Sequence, residues 1–169
     1  MDLILTGIVE AFRLLVTLDD EILRVTLLSL QISGSATLVS LVLGVSSGTA
    51  IALSEFPGKR LVVSAINTGM GLPPVVVGLF VTIFIWRNGP FGFLGMLYTP
   101  SAMVLAQAII ATPIVTGISF AAIQHLPDKL RLQILSLGAT RAQMVWMLMR
   151  EARLPILAAV MAGFGRSEE

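Results

Sequence analysis

From Val25 to Ser54 the chain runs for thirty residues without a charged side chain. About 20 apolar residues suffice to cross a bilayer's hydrocarbon as a helix, so this run predicts a transmembrane helix with length to spare. Two more uncharged runs follow, Leu61–Trp86 and Ala102–Gln124. The whole chain is 56% hydrophobic and only 12% charged, whereas soluble domains carry roughly a quarter charged residues. The fold class is therefore all-α: a polytopic helical membrane protein with three full spans, surrounded by lipid. No secretory signal is expected in these first residues, because Asp2 and Glu10 interrupt the positions where cations and an unbroken apolar stretch belong.

Within the first span Thr26, Ser29, Ser33, Ala36, Ser40, Gly44 and Ser47 recur every three or four residues, and Gly44 with Gly48 makes a GxxxG. Small side chains let helix backbones approach closely in lipid, so this stripe predicts a packing face. The second span is interrupted. Asn67, Thr68, Gly69, Gly71, Pro73 and Pro74 fall within eight residues, and two adjacent prolines remove two backbone donors and disfavour helix before them. Broken backbone is tolerated in a membrane only inside protein or beside a watery path, and discontinuous helices often border solute sites. The break reads equally as a kinked helix or as the wall of a solute pathway.

Residues 1–23 form a separate N-terminal segment. Asp2, Thr6, Glu10, Arg13 and Thr17 share one helical face and Leu5, Ile8, Phe12 and Leu15 the other, predicting an amphipathic helix that lies in the interface or flanks the bundle. The remainder, 24–169, forms the membrane domain. Between the second and third spans, Arg87–Ser101 is rich in Gly, Pro and aromatics, a loop expected to fold back on the membrane face.

Charge gathers between His125 and Pro155: Lys129, Arg131, Arg141, Arg150 and Arg153 against Asp128 and Glu151. Leu126, Leu130, Ile134 and Leu137 recur at helical spacing. Gly138 suits a helix end, since it takes the left-handed turn cheaply, and Thr140 with Gln143 can form a capping box. A short helix, a tight turn and a second helix to about Leu154 are expected. If this element is cytoplasmic, three spans put Lys59 and Arg60 on the same side and the N-terminus outside, in accord with the positive-inside rule.

Catalytic chemistry is sparse. With no Cys, disulfides, thiolate metal sites and thiol nucleophiles are excluded. Gly58-Lys59 is no P-loop, because Arg60 stands where Ser or Thr is needed and Leu53 where the first Gly belongs. His125 is the sole histidine and has no triad partner or second ligand spaced around it. No catalytic residue, metal or cofactor is expected, so an energy source would have to come from another chain.

The Leu-Gly-Ala-Thr-Arg run at 137–141, followed by Arg-Glu-Ala-Arg at 150–153 and Ala-Gly-Phe-Gly-Arg at 162–166, resembles permease subunits of binding-protein-dependent ABC importers. The tungstate/molybdate-type permeases also share the Asn-Thr-x-x-Gly-Leu-Pro-Pro run at 67–74. The resemblance covers nearly the whole chain. It implies a non-enzymatic permease, working as a homodimer with an ATP-binding cassette subunit and an extracytoplasmic solute-binding protein in the cytoplasmic membrane. It also implies that Leu135, Ser136, Leu137, Gly138, Ala139, Thr140 and Arg141 form the coupling element, and that the cargo is an oxyanion. Two positions depart from the family pattern: Leu132 where Glu is common, and Glu151 where Pro is usual, with Leu-Pro only at 154–155.

Two other readings compete. One is a small channel or scaffold with no ATPase. The other is a membrane-tethered DNA-binding helix-turn-helix, weakened because Met144, Val145, Trp146, Met147, Leu148 and Met149 offer no polar side chains to a groove; no nucleic-acid partner is expected. Finally, Pro155–Gly165 covers only roughly 17 Å as a helix, about half the hydrocarbon. This partial fourth span brings Arg166, Glu168 and Glu169 near mid-membrane, where no residue of the three full spans is an evident partner. The expectation is an incomplete permease.

Overall fold

A computed structural model describes Thr6 and residues 20–167. The chain divides into two compact units, 1–32 and 33–169. The amphipathic-helix expectation for 1–23 lies outside the described residues, except at Thr6 and from Asp20 onward.

Seven α-helices occupy the described residues, with no strand among them. Helix α1 spans Asp20–Leu53. It begins five residues before the uncharged run, because Asp20 and Glu21 stand in its first turn, where carboxylates oppose the helix dipole favourably. Helix α2 covers Lys59–Met70 and α3 Pro74–Ile85. After a loop with one 3-10 turn at Gly92–Leu94, α4 runs Pro100–Gln124. Helices α5 (Asp128–Ser136), α6 (Arg141–Glu151) and α7 (Arg153–Ser167) complete the order.

Helices α1 and α4 are each long and apolar enough to cross a membrane, and α2 with α3 makes a third crossing if the bent pair counts as one. The bend is 104°. This is far more than a proline kink, so the second span is two half-length helices joined by a non-helical break at Gly71–Pro73.

Helix α4 is the axis of the second unit, with α2, α3 and α7 all packed on it. Along α4 the neighbours change in order. Asn67 shares a groove with Phe120 and Gln124, Gly69 faces Pro113, and Val77, Val81 and Ile85 pack on Ala102, Ala106 and Ile110. The broken pair therefore follows α4 from one end to the other. The Trp86–Thr99 loop lies at the end opposite the 55–60 turn. It folds back on the end of α3: Phe91 N–H donates to the Phe84 carbonyl at 2.9 Å, and the two rings stack at 6.2 Å.

From Ser33 to Ser47 the small-residue stripe of α1 is the packing face expected of it, whereas Thr26 and Ser29 at its start are exposed. Ser33, Ala36 and Ser40 are buried, and Ser47 Oγ lies 3.2 Å from Thr116 Oγ1 of α4. At Gly48 a Cβ would sit 2.5 Å from the Thr116 carbonyl oxygen, and at Gly44 2.7 Å from Val115. Only glycine permits this approach.

Helix α7 starts at Arg153 rather than Pro155, and α6 ends at Glu151 rather than near Leu154. Pro155 is the third residue of α7, a position whose N–H has no intrahelical partner in any helix, so the proline costs nothing there. Helix α7 returns antiparallel along α4: Ile156 packs near Ala122 and Ile123, and Ala159 on Val115.

The packing of α1 on α4 generates a test. Replacing Gly48 by Val should destabilise the bundle by about 1–3 kcal/mol through overpacking. Gly34→Ala, where an added Cβ meets nothing within 4 Å, should be neutral or stabilise by about 0.5–1 kcal/mol. Thermal unfolding in detergent would read both; equal midpoints would contradict the packing.

Candidate docking element and membrane break

The docking element is built as its residues dictate. Helix α5 starts after Pro127 and ends at Ser136. Gly138 has φ +83°. Its N–H donates to the Leu135 carbonyl at 3.0 Å, and the Ala139 N–H reaches back to Ile134 at 3.4 Å. Together these are the two bonds of a Schellman motif. Thr140 then caps α6: the Gln143 N–H donates to Thr140 Oγ1 at 3.3 Å, while the Thr140 N–H donates to Gln143 Oε1 at 2.8 Å.

Ile134, Met144 and Leu148 anchor the two helices against Ala122, Ile123 and Ala152, with Ala139 half-buried on the same cluster. The outer surface is apolar as well. Leu137 is 86% exposed at the tip of the turn, and Leu132 is 66% exposed. The expected contact stretch thus divides. Ala139 faces inward, Thr140 serves the cap, and Leu135, Leu137 and Gly138 form the outward edge, with Ser136 and Arg141 exposed beside them.

Two cations that the motif does not include meet the end of α1, and one of them, Arg131, ties this element to the bundle. The last carbonyls of α1 have no intrahelical donors. Lys59 Nζ donates to Ala52 O at 3.4 Å and Ser54 O at 2.9 Å, and pairs with Glu55 Oε1 at 3.0 Å. Arg131 Nη2, from α5, donates to Leu53 O at 3.4 Å. The sequence signal was cations placed to meet a helix C-terminus, but nothing local joins Arg131 to a carbonyl 78 residues earlier.

The residues expected at the break do not act alike, and Asn67, Thr68 and Gly69 lie within α2 before it. Asn67 lines a groove of about 700 Å³ with Lys59, Arg60, Ser64, Phe120 and Gln124. The Thr68 hydroxyl is engaged with Ser64 O at 2.9 Å. Gly69 is a packing residue, since its Cβ would come 3.1 Å from the Pro113 ring. Gly71 and Pro73 are exposed and Pro74 half-buried at the start of α3. Pro113 itself stands inside α4, roughly 17 Å along the helix from Gln124 and so near mid-membrane. Sequence reasoning left Arg166 without a partner; the structure supplies one, as Arg166 Nη2 donates to Leu72 O at 3.3 Å.

These features define a multi-pass helical membrane protein with a broken central span and an apolar-tipped helix-turn-helix at one end. The chain belongs to the family described as binding-protein-dependent transport system inner membrane component, which matches residues 40–167. It is thus a multi-pass inner-membrane protein. It is 39% identical over 146 residues to a probable anion ABC transporter permease protein of Haloferax volcanii, covering 86% of this chain and 63% of that one. It is 31% identical over 167 residues to the tungstate uptake system permease protein TupB of Peptoclostridium acidaminophilum, covering 99% and 73%. It is 30% identical over 158 residues to the molybdenum transport system permease protein ModB of Escherichia coli, covering 89% and 69%. The chain spans between 63% and 73% of the length of these relatives.

The cap yields a prediction. Thr140→Ala removes the capping box and should cost about 1 kcal/mol, speeding amide exchange in the first turn of α6 about fivefold. Hydrogen exchange at Gln143 and Met144 would show it; unchanged protection would mean that the packing of Met144 alone holds the turn.

Proposed function

We propose that this chain is the permease subunit of an ABC importer whose cargo is an oxyanion such as tungstate or molybdate. In this reading 24–169 is the transmembrane domain, preceded by the amphipathic segment 1–23. It works as a homodimer, with a separate ATP-binding cassette subunit that carries the catalysis and an extracytoplasmic binding protein that selects the cargo. The N-terminus is outside, and 125–155, with Lys59 and Arg60, faces the cytoplasm, as the distribution of cations favours.

The observation that carries the reading is the exposed apolar tip of the docking element. A leucine held 86% exposed by a Schellman turn on one side and a capping box on the other is costly in water unless a partner covers it. Leu135–Arg141 is the segment that enters a groove of the ATP-binding subunit. Arg131 links it to the end of α1, and through the same turn to Lys59 at the start of α2, so displacement of α5 is passed directly to the broken span. The break at Asn67, Thr68, Gly69, Gly71, Pro73 and Pro74 borders the solute pathway. A scaffold or passive channel without an ATPase would have no use for this exposed tip.

Gly138→Val tests the reading. At φ +83° a β-branched residue is strongly disfavoured, so the turn should reshape and present Leu137 wrongly. Affinity for the cognate ATP-binding subunit, measured by co-purification from membranes, should fall at least about tenfold, with Gly34→Ala as a neutral control. Wild-type affinity in Gly138→Val, or no association in the unsubstituted chain, would overturn the docking role.

A further inference from the structure

The two halves of the broken span are equal in length and opposite in character. Helix α3 carries one polar side chain in its twelve residues, Thr82, whose hydroxyl returns to the Gly78 carbonyl at 2.8 Å. Helix α2 carries five in twelve: Lys59, Arg60, Ser64, Asn67 and Thr68. Arg60, Ser64 and Asn67 are spaced by four and three, so they share one helical face, and all three are exposed. The helix that presents them runs from the 55–60 turn to the level of Pro113, on which Gly69 packs.

An exposed polar face on a membrane helix is strongly penalised against lipid tails, so it borders water or another polar surface. The positive-inside bias accounts for a cation at this end but not for the polar face that continues from Arg60 to Asn67. That face opens on the groove of about 700 Å³ whose α4 wall is Phe120 and Gln124.

Two cations and one carboxylate line the groove, and they are not equivalent. Lys59 is engaged with the Ala52 and Ser54 carbonyls and with Glu55, so the Glu55 charge is offset at 3.0 Å. Arg60 makes no ion pair or hydrogen bond with a described residue. Its guanidinium keeps a permanent charge and five donors in a planar fork that suits oxyanions. Asn67 and Gln124 add amide donors, and Ser64 a hydroxyl. The groove is wide enough to leave a tetrahedral anion partly hydrated. That suits a stage of passage, where binding must be favourable enough to enter and weak enough to leave.

We propose that this groove is an oxyanion site at the cytoplasmic end of the solute path, with Arg60 as its binding charge and Ser64, Asn67 and Gln124 as its donors. This rests on the oxyanion-permease reading above and adds to it a site and its residues. The groove shares Glu55, Lys59 and Gln124 with a smaller cavity of about 260 Å³ that reaches Arg131 of the docking element. The anion would therefore leave beside the element on which the ATP-binding subunit docks.

The test uses the cysteine-free chain in open membrane fragments, where reagents reach both faces, with one thiol introduced by Ser64→Cys. Modification rates are measured with an anionic methanethiosulfonate (sulfonatoethyl) and a cationic one (trimethylammonioethyl). Arg60→Gln should lower the anionic-to-cationic ratio about tenfold, since one charge at close range acts on the two reagents with opposite sign. Arg60→Lys should restore most of it, and Arg87→Gln, in the loop at the opposite end, should leave it unchanged. A ratio unchanged in Arg60→Gln, or a thiol that neither reagent reaches because a second copy or another chain covers the face, would overturn the proposal. Either result alongside normal capture of the ATP-binding subunit would leave the permease reading standing.

Millimolar sodium tungstate or molybdate should also slow anionic labelling at position 64 when Arg60 is present and not in Arg60→Gln. Failure of every anion tried, or equal protection without Arg60, would overturn the site. Protection by sulfate or phosphate but not by tungstate or molybdate would support the site while contradicting the cargo assigned under the proposed function.

Discussion

An unpaired peptide group in hydrocarbon costs several kcal/mol, and that constraint shapes this chain more than any other. Its long helices, α1 and α4, satisfy it internally. Where the helix stops, other parts of the molecule answer. Lys59 and Arg131 meet the last carbonyls of α1 at one end of the bundle. Thr112 and Thr116 return their hydroxyls to α4's own backbone around Pro113. Arg166 meets the Leu72 carbonyl at the break. These three cations stand where backbone carbonyls lack an intrahelical donor.

Close packing is the second layer. Hydrophobic burial gives little preference for helix–helix contact over helix–lipid contact, so α1 and α4 associate because Gly44 and Gly48 admit the α4 backbone between Val115 and Phe120. Large apolar side chains such as Leu38, Val42, Leu79 and Ile83 are left on the outside, as suits a chain bounded by lipid or by other subunits. The docking element follows the opposite rule. It is held by an aqueous-style core of Ile134, Met144 and Leu148, and its most exposed leucine, Leu137, stands at the turn.

Much of this was legible in the sequence because it depends on local chemistry. The uncharged runs gave the spans, Gly138 the turn, Thr140 and Gln143 the cap, and the stripe from Ser33 to Ser47 the face of α1 that packs. Boundaries were less legible. The segment 1–23 reads as separate, yet Asp20 and Glu21 stand in the first turn of α1, and Pro155 looked like a start but is tolerated in a first turn. The 104° angle between α2 and α3 is set by what each half packs against on α4, which no short window of sequence contains. The partners of Arg131 and Arg166 lie 78 and 94 residues away, so periodicity could place those cations but could not say what they meet.

The picture that results is mechanical: an exposed tip at one end, a cation linking it to α1, and a span broken in two where Arg166 meets the Leu72 carbonyl. The most direct measurement is to place a photoreactive amino acid at position 137 and irradiate membranes that also contain the cognate ATP-binding subunit. The account predicts efficient capture of that subunit, with little capture from position 93 at the opposite end of the bundle, where Phe93 is comparably exposed. Capture of lipid alone at position 137, or equal capture from both ends, would contradict it.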